Sequence, residues 1–277
     1  MWSFSEPLEL GAFQYQSSGS LRTRNRLGVV FQGEIINDKL GLSTIGIGNF
    51  DGLPGDDIAV SAESNSNGYA GLVYVISGKN KAKWPTLANN EPYNVNLISA
   101  GGFQGLKITG AAANDFLGWS MASAGDLNGD GFSDLMLGAR NKDTIWVVFG
   151  GFNITGKSPL VQSIKSFEDG IKGFKIVGEV YSAAGWAMGN IGDINNDGYD
   201  ELLVGAHAIS TAYVIWGHAS GGASSWPNLN LSSSAWVEGQ IGFSIKSSLL
   251  GYYLLAGKKG GGDVNGDKIA DFILANS

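Results

Sequence analysis

Short runs of apolar residues, each bounded by glycine or by a polar turn, recur along the whole chain. One kind of run directly follows an acidic loop, at 135–137, 202–204 and 272–274. A second kind is rich in aromatic and β-branched residues, at 72–78, 145–150 and 212–217. Short apolar runs between turn signals predict buried β-strands. The pattern therefore predicts an all-β fold.

The strand-like runs belong to a longer repeat. A glycine-bounded segment starts at residues 28, 105, 173 and 242, at intervals of 77, 68 and 69 residues. Residues 1–27 then belong to a preceding or closing blade, and the four visible repeats span 28–104, 105–172, 173–241 and 242–277. A unit of about four short strands covers its apolar faces only by packing against its neighbours. We therefore expect residues 1–277 to form one β-propeller domain, or a segment of one, built from four-stranded blades.

Each repeat also contains an acidic loop of nine residues, whose positions we number 1 to 9. Alternate positions of a tightly curled loop point inward, so oxygen-bearing residues there can surround one cation. Calcium prefers about six to eight oxygens from carboxylates, amides, backbone carbonyls and water. The predicted calcium ligands are the side chains at positions 1, 3, 5 and 9 and the carbonyl at position 7. They are Asp126, Asn128, Asp130, Phe132 and Asp134 in the second loop (126–134), Asp193, Asn195, Asp197, Tyr199 and Glu201 in the third loop (193–201), and Asp263, Asn265, Asp267, Ile269 and Asp271 in the fourth loop (263–271).

The first loop (49–57) departs from this pattern, because Leu53 stands at position 5, where the other loops have Asp. Its remaining candidate ligands are Asn49, Asp51 and Asp57. We expect three calcium sites in the other loops and a weaker site here.

Two other structures share part of the loop pattern. An EF-hand shares the opening D-x-N-x-D-G but requires a Glu at position 12 and flanking helices. Position 12 is Leu137, Val204 or Leu274, each within a predicted strand, so the EF-hand is disfavoured. Asp, Asn and Gly are also ordinary turn residues, but a turn needs only a few of these positions. Three copies of the whole ligand pattern favour metal binding.

The repeats resemble the FG-GAP repeat of integrin alpha-subunit propellers and of related microbial secreted proteins, and the resemblance covers essentially the whole chain. The family pattern, F-G-x-S followed by G-D-x-N-G-D-G-x-x-D-L-x-x-G-A-P, is matched by 118–120, 125–135 and 138–139. Departures are Leu117 and Ala184 in place of Phe, Arg140 and His207 in place of Pro, and Lys268 in place of a loop glycine.

The resemblance implies that calcium in the loops is structural and that ligands bind on loops of another face. It implies a non-enzymatic, extracellular or cell-surface adhesion module that binds a protein or glycan. Family propellers usually have seven blades, so the four repeats form either a four-bladed ring or part of a larger propeller. In a partial propeller, the terminal blades would associate with the rest of the assembly. A polysaccharide hydrolase or lyase and a structural component of a larger assembly are the alternatives.

Charge and composition narrow the choice of partners. The formal net charge is −7, and 13 of the 25 acidic residues lie in the four loops, so the acidity is mostly metal-site acidity. A net negative surface disfavours nucleic acid as a partner. The absence of cysteine leaves packing and metal to stabilise the fold. No uninterrupted apolar stretch predicts membrane insertion, and no signal peptide is visible.

Residues suited to catalysis are few. His207 and His218 are the two histidines, and both are expected in turns at strand ends. The sequence has no nucleophile-elbow motif, so we expect no enzymatic activity. Four tryptophans recur within the repeat and are expected to lie in the blade core: Trp119, Trp146, Trp186 and Trp216.

Overall fold

In a computed structural model of the chain, the fold is built from short β-strands. The structure describes residues 31–34, 38–63, 68–78, 93–94, 105–151, 161–220, 226–232, 236, 238–246, 255–256, 263–272 and 274–275. The expected blade in residues 1–27 lies outside these residues. The strands are β1 (Phe31–Gln32), β2 (Thr44–Gly48), β3 (Asp57–Ala62), β4 (Leu72–Ile76), β5 (Tyr93–Asn94), β6 (Gly105–Thr109), β7 (Leu117–Gly125), β8 (Asp134–Ala139), β9 (Thr144–Val148), β10 (Val161–Ser163), β11 (Gly173–Val177), β12 (Ala184–Gly192), β13 (Glu201–Ala206), β14 (Thr211–Ile215), β15 (Leu229–Asn230), β16 (Gly242–Lys246), β17 (Leu255–Ala256) and β18 (Leu274–Ala275).

Three sheets share one antiparallel pattern. The first sheet runs β2-β3-β4-β6, the second β7-β8-β9-β11 and the third β12-β13-β14-β16. In the first two sheets a fifth, parallel strand, β10 or β15, pairs with the outer edge of the fourth. Strand β1 pairs in the same parallel manner with β5, and β17 pairs antiparallel with β18. The predicted all-β class is confirmed. The described residues contain no α-helix, only two 3-10 turns, at Ile164–Phe167 and His207–Ile209.

The sheets are out of phase with the sequence repeats. Strands β6, β11 and β16 are the glycine-bounded segments that open the repeats at 105, 173 and 242. Each of them pairs with the aromatic strand of the preceding repeat, so it forms the fourth strand of the preceding sheet. The chain therefore passes from one sheet to the next after this strand, not before it.

The sheets stack face to face, and their central strands are buried on both sides. In β8, Leu135 and Leu137 pack in the core shared with the first sheet, whereas Met136 packs in the core shared with the third. In β13, Leu202 and Val204 face the second sheet, and Leu203 faces the side of Phe272 and Leu274. Alternate residues of one strand point to opposite faces, so a strand between two cores needs a continuous apolar run.

The first strands of successive sheets lie side by side. Strand β2 contacts β7, β7 contacts β12, and β12 contacts β17. The hydroxyl of Ser120 on β7 donates a hydrogen bond of 2.5 Å to the carbonyl of Gly185 on β12. Gly138 allows this approach, because a Cβ there would lie 2.9 Å from the same carbonyl. This order of first strands is consistent with a β-propeller.

Candidate metal centre

Each acidic loop joins the first two strands of a sheet. The first loop connects β2 to β3, the second β7 to β8, and the third β12 to β13, while the fourth precedes β18. A β-bulge immediately before the loop ends each of the strands β2, β7 and β12. The bulge glycine has positive φ, for example +69° at Gly125 and +77° at Gly192, a conformation that favours glycine. The loops therefore lie in hairpins, as predicted, and not between helices.

In the first three loops the carboxylate at position 9 joins the loop to the end of the third strand of its sheet. Asp134 accepts the amide hydrogen of Leu127 (3.0 Å) with one oxygen and that of Gly150 (2.8 Å) with the other. Glu201 accepts the corresponding amides of Ile194 (2.7 Å) and Gly217 (3.4 Å). Both side chains are fully buried. Burial raises the pKa of Asp134 well above its usual range, and burial with nearby Asp197 raises the pKa of Glu201 to about 7.

The side chains at positions 1, 3 and 5 of the second loop accept hydrogen bonds from backbone amides and so stabilise its tight turn. Asp126 accepts the amides of Asp130 and Gly131, both at 2.9 Å. The side-chain oxygen of Asn128 also accepts the amide of Asp130 (3.0 Å). The amide of Phe132 donates to Asp130 (2.9 Å), so position 7 is drawn toward the same centre.

The third loop repeats these bonds and brings three carboxylates together. Asp193 accepts the amides of Asp197 (3.1 Å) and Gly198 (2.9 Å), and Asp197 accepts that of Tyr199 (3.0 Å). One carboxylate oxygen from each of Asp193, Asp197 and Glu201 lies within 4.8 Å of the others. This is the one such group among the residues that the structure describes. Oxygens that bind one calcium ion at about 2.3–2.6 Å lie on a shell of matching diameter.

The hydrogen bonds in the loop leave acceptor capacity for an ion. Each carboxylate oxygen has two lone pairs, so an oxygen that accepts one amide hydrogen can still coordinate a cation. The amide oxygen of Asn195 accepts one amide hydrogen, from Asp197 (2.9 Å), and retains the same capacity. The donor set of the third loop therefore fits a hard, oxygen-preferring cation such as calcium.

The fourth loop keeps the same plan at an exposed position. Asp271 accepts the amides of Val264 (2.7 Å) and Asn265 (3.2 Å), and Asp267 accepts that of Ile269 (2.8 Å). Lys268 has a φ of +72° at position 6, where the second and third loops have glycine. A lysine in that conformation adds backbone strain to this loop.

The first loop keeps the hydrogen bonds of position 9 but lacks the ligand at position 5. Asp57 accepts the amides of Phe50 (2.8 Å) and Gly78 (2.7 Å), as position 9 does in the second and third loops. Asp51 accepts the amide of Leu53 (2.8 Å) with Oδ1. Its Oδ2 is buried and has no hydrogen-bond partner among the described residues. Burial of an unpaired carboxylate oxygen is unfavourable, and a bound cation would relieve it.

Contacts between neighbouring loops were not predicted. The Phe132 ring at position 7 lies against Gly52 of the first loop, and the Tyr199 ring lies against Gly129 of the second. Position 8, occupied by Ser133, Asp200 and Ala270, lies against the glycine that comes immediately before the preceding loop. The ligand pattern predicts a role for position 7 only through its carbonyl and none for position 8. The one sequence signal was the glycine that precedes position 1 in every loop.

A second group of candidate binding residues lies at the opposite end of the sheets. Trp186, at the start of β12, is 47% exposed and packs edge-on against His207, with ring centroids 4.9 Å apart. The equivalent Trp119 is half-buried and lies 4.3 Å from the guanidinium of Arg140. Tyr181, in the preceding loop, is 86% exposed. The prediction that Trp186 lies in the core is wrong, because the bulge between Ala184 and Ala187 interrupts its strand pairing.

The remaining sequence candidates lie at strand ends or in the core. Trp146 is buried in the core as predicted, and Trp216 is half-buried. His207 lies in the 3-10 turn after β13, and His218 follows β14 and stacks on Trp226 at 3.8 Å.

Comparison with known proteins agrees with the loop geometry. The FG-GAP repeat family matches residues 117–151, which include β7, the second loop, β8 and β9. Residues 117–151 of the chain therefore form an FG-GAP repeat. Integrin alpha-V of Gallus gallus is 26% identical over 241 residues, which cover 83% of this chain and 19% of the relative. Integrin alpha-6 of Gallus gallus is 34% identical over 103 residues, covering 35% of this chain and 9% of the relative.

An enzyme is also among the proteins similar to this chain. Phosphatidylinositol-glycan-specific phospholipase D of Homo sapiens is 31% identical over 177 residues, which cover 58% of this chain and 18% of the relative. The chain thus spans less than a fifth of the length of each of these relatives. No helix in the described part of the chain is long and apolar enough to cross a membrane.

Proposed function

We propose that this FG-GAP repeat protein is a calcium-binding, integrin-alpha-like propeller module that acts without catalysis in extracellular or cell-surface adhesion. The observation that carries the proposal is the group formed by Asp193, Asp197 and Glu201 within one hairpin loop. Its counterparts in the second and fourth loops have the same ligand types at the same positions. Similarity to integrin alpha-V over most of the chain supports the same assignment.

Calcium in these loops would have a structural role. The side chains of the third loop that would hold it are Asp193, Asn195, Asp197 and Glu201, together with the Tyr199 carbonyl. Without a cation the carboxylates repel one another, and the repulsion opposes the curl of the loop. A bound ion would remove this repulsion and stabilise the hairpin that connects β12 to β13. Extracellular calcium modules bind at about 10⁻⁴–10⁻³ M, which suits the proposed location.

The ligand surface is proposed at the opposite end from the calcium loops. Exposed aromatic and cationic groups there include Tyr181, Trp186 and the Trp119–Arg140 pair. Tyr, Trp and Arg are the residues that contribute most often to binding energy at protein interfaces. We propose a protein or glycan as the partner, and association of the terminal blades with further blades of a larger, seven-bladed propeller.

Thermal unfolding with calcium and with chelator tests the calcium part of the proposal. A ligand that binds only the folded state at a hundred times its Kd stabilises it by about 2.7 kcal/mol per independent site. We expect a clear rise in Tm with calcium, and a smaller rise for the variant Asp193→Asn/Asp197→Asn. Asp169→Asn is the matched control, because Asp169 is an exposed carboxylate outside the loops. Identical Tm values with calcium and with chelator would refute calcium binding.

Binding to an array of extracellular-matrix proteins and glycans tests the adhesion part. Trp186→Ala should weaken any retained interaction without changing the calcium-dependent rise in Tm. Incubation with polysaccharides, followed by assay for new reducing or unsaturated ends, tests the enzymatic alternative. Reproducible product formation by the wild-type protein would overturn the non-catalytic assignment.

A further inference from the structure

Position 8 of one loop is bonded to position 1 of the preceding loop. The amide of Ser133 donates to the carbonyl of Asn49 (2.9 Å), and the amide of Asp200 donates to the carbonyl of Asp126 (3.4 Å). Position 1 provides the first predicted calcium ligand of its loop. A residue of the following sheet therefore holds the backbone of a predicted ligand in the preceding one.

Between the second and third loops a side chain strengthens this junction. Oδ2 of Asp200 accepts the amide hydrogen of Asp126 (3.1 Å) and a side-chain hydrogen of Asn190 (2.8 Å). Asp200 thus contacts Asp126 through both its backbone and its carboxylate. Gly125 makes this approach possible, because a Cβ at that residue would overlap the Asp200 carboxylate.

Asp200 also lies between two predicted ligands of its own loop. Tyr199 precedes it and Glu201 follows it, so any ordering of these two residues by calcium orders the Asp200 backbone. The Tyr199 ring packs on Gly129 of the second loop, and the amide of His218 donates to the carbonyl of Leu127 (3.1 Å). The third loop and the end of β14 therefore contact the second loop at several points around Asp126.

We infer that Asp200 is a positioning residue that couples calcium binding in the third loop to calcium binding in the second. The inference rests on the proposed calcium function. Calcium in the third loop fixes Asp200, and Asp200 holds Asp126 in the geometry that the second loop needs. The affinity of each loop is then higher when the other is occupied, by the same factor in both directions. Coupling of this kind typically changes affinity by about fivefold or more.

The other junctions provide natural comparisons. Ser133 has a hydroxyl where Asp200 has a carboxylate, and Ala270, which lies against Gly192, has no side-chain acceptor. The variant Asp200→Ser therefore imitates the first junction, and Asp200→Ala imitates the last. The variant Asp200→Asn keeps an acceptor oxygen of the same reach without the charge.

Calcium titration followed by amide NMR separates the loops, because Gly131 reports on the second loop and Gly198 on the third. In the wild-type background, Asp193→Asn/Asp197→Asn should raise the calcium midpoint at Gly131 about fivefold or more. In the Asp200→Ser background the same pair of substitutions should leave that midpoint unchanged. Ser133→Ala should preserve the coupling, and Asp200→Asn should restore part of it.

Hydrogen exchange in chelator provides a readout that does not depend on calcium. The Asp126 amide should exchange faster in Asp200→Ser than in the wild type. In Asp200→Asn it should exchange more slowly than in Asp200→Ser. Unchanged exchange at Asp126 would overturn the positioning role. If the calcium midpoint at Gly131 is the same with the third loop intact and with it disabled, the coupling is refuted. This outcome holds even when both loops of the wild-type protein bind calcium. If neither glycine responds to calcium, the proposed function fails as well, which is a different outcome.

Discussion

At the scale of single residues, the carboxylate at position 9 combines two roles. It is a predicted calcium ligand, and it bonds the loop backbone to the end of the third strand in all three complete sheets. Glu201 performs the second role with a longer side chain than Asp57 or Asp134, and it still reaches both amides. It also belongs to the group of three carboxylates. Glu at position 9 is therefore compatible with a metal site.

The pKa of Glu201 predicts how the stability of the calcium-free protein depends on pH. Its pKa is about 7 in the folded protein, against 4.5 for an ordinary Glu, chiefly because the group is buried. Between these two values the folded state binds the additional proton, so the free energy of unfolding falls as the pH rises. The contribution is complete below about pH 4.5 and is lost as the pH passes through about 7.

Urea denaturation in chelator across this pH range checks the prediction. Glu201→Gln should make the curve of unfolding free energy against pH flatter, because Gln does not titrate. Saturating calcium should also reduce the fall in the free energy of unfolding with rising pH, since the ion favours the ionised carboxylate. A decline of equal slope in the wild type and in Glu201→Gln would contradict the assignment.

At the scale of strands and sheets, the sequence was sufficient to predict many of the β-strands. Glycine-bounded apolar runs predicted β6, β11 and β16, and the aromatic runs predicted β4, β9 and β14. The sequence could not show that β6 completes the sheet of the preceding repeat. A repeat has the same period wherever its boundary is drawn, and pairing such as Tyr74 opposite Lys107 is visible only in the fold.

In the loops, too, the sequence predicted the contacts between neighbouring residues but not the contacts between sheets. The curl of the third loop follows from residues close in sequence, such as Asp193 and Gly198, and the ligand positions could be read from their spacing. The contacts of Asp200 with Asp126 and of Tyr199 with Gly129 join residues from different sheets. The outward position of Trp186 depends on a local bulge that the strand pattern did not indicate. These features result from packing, which a single sequence specifies only indirectly.

The contacts of Phe132 predict how much the junction between the first and second sheets contributes to stability. Its ring lies against Gly52 of the first loop and Gly151 at the end of the third strand of its own sheet. The amide of Gly151 in turn donates to the carbonyl of Phe50 (2.8 Å). Phe132→Ala removes apolar contact area at this junction and should lower the free energy of unfolding by about 1–3 kcal/mol. Urea denaturation measures the loss, and hydrogen exchange at Gly151 should become faster.

Tyr181→Ala is the matched control, because this aromatic side chain is 86% exposed. Its effect on the free energy of unfolding should stay within about 0.5 kcal/mol. If the two variants lose equal stability, the Phe132 contact does not stabilise the junction.

At the scale of the whole molecule, the loops dominate the charge. The formal net charge is −7, and three calcium ions would bring it to −1. Because 13 of the 25 acidic residues belong to the four loops, the repulsion in the calcium-free protein is concentrated at the hairpin ends. Calcium would reduce this repulsion where adjacent loops touch, so its effect on stability extends across the junctions between sheets.

This distribution of charge predicts a different salt response with and without calcium. Raising sodium chloride from about 0.02 M to about 0.5 M shortens the screening length from about 20 Å to about 4 Å. In chelator the added salt should raise Tm, because it screens carboxylate repulsion in the loops. With saturating calcium the rise should be much smaller. Asp193→Asn/Asp197→Asn should reduce the salt response in chelator more than Asp169→Asn does. An equal response of the two variants would show that the repulsion is spread over the surface.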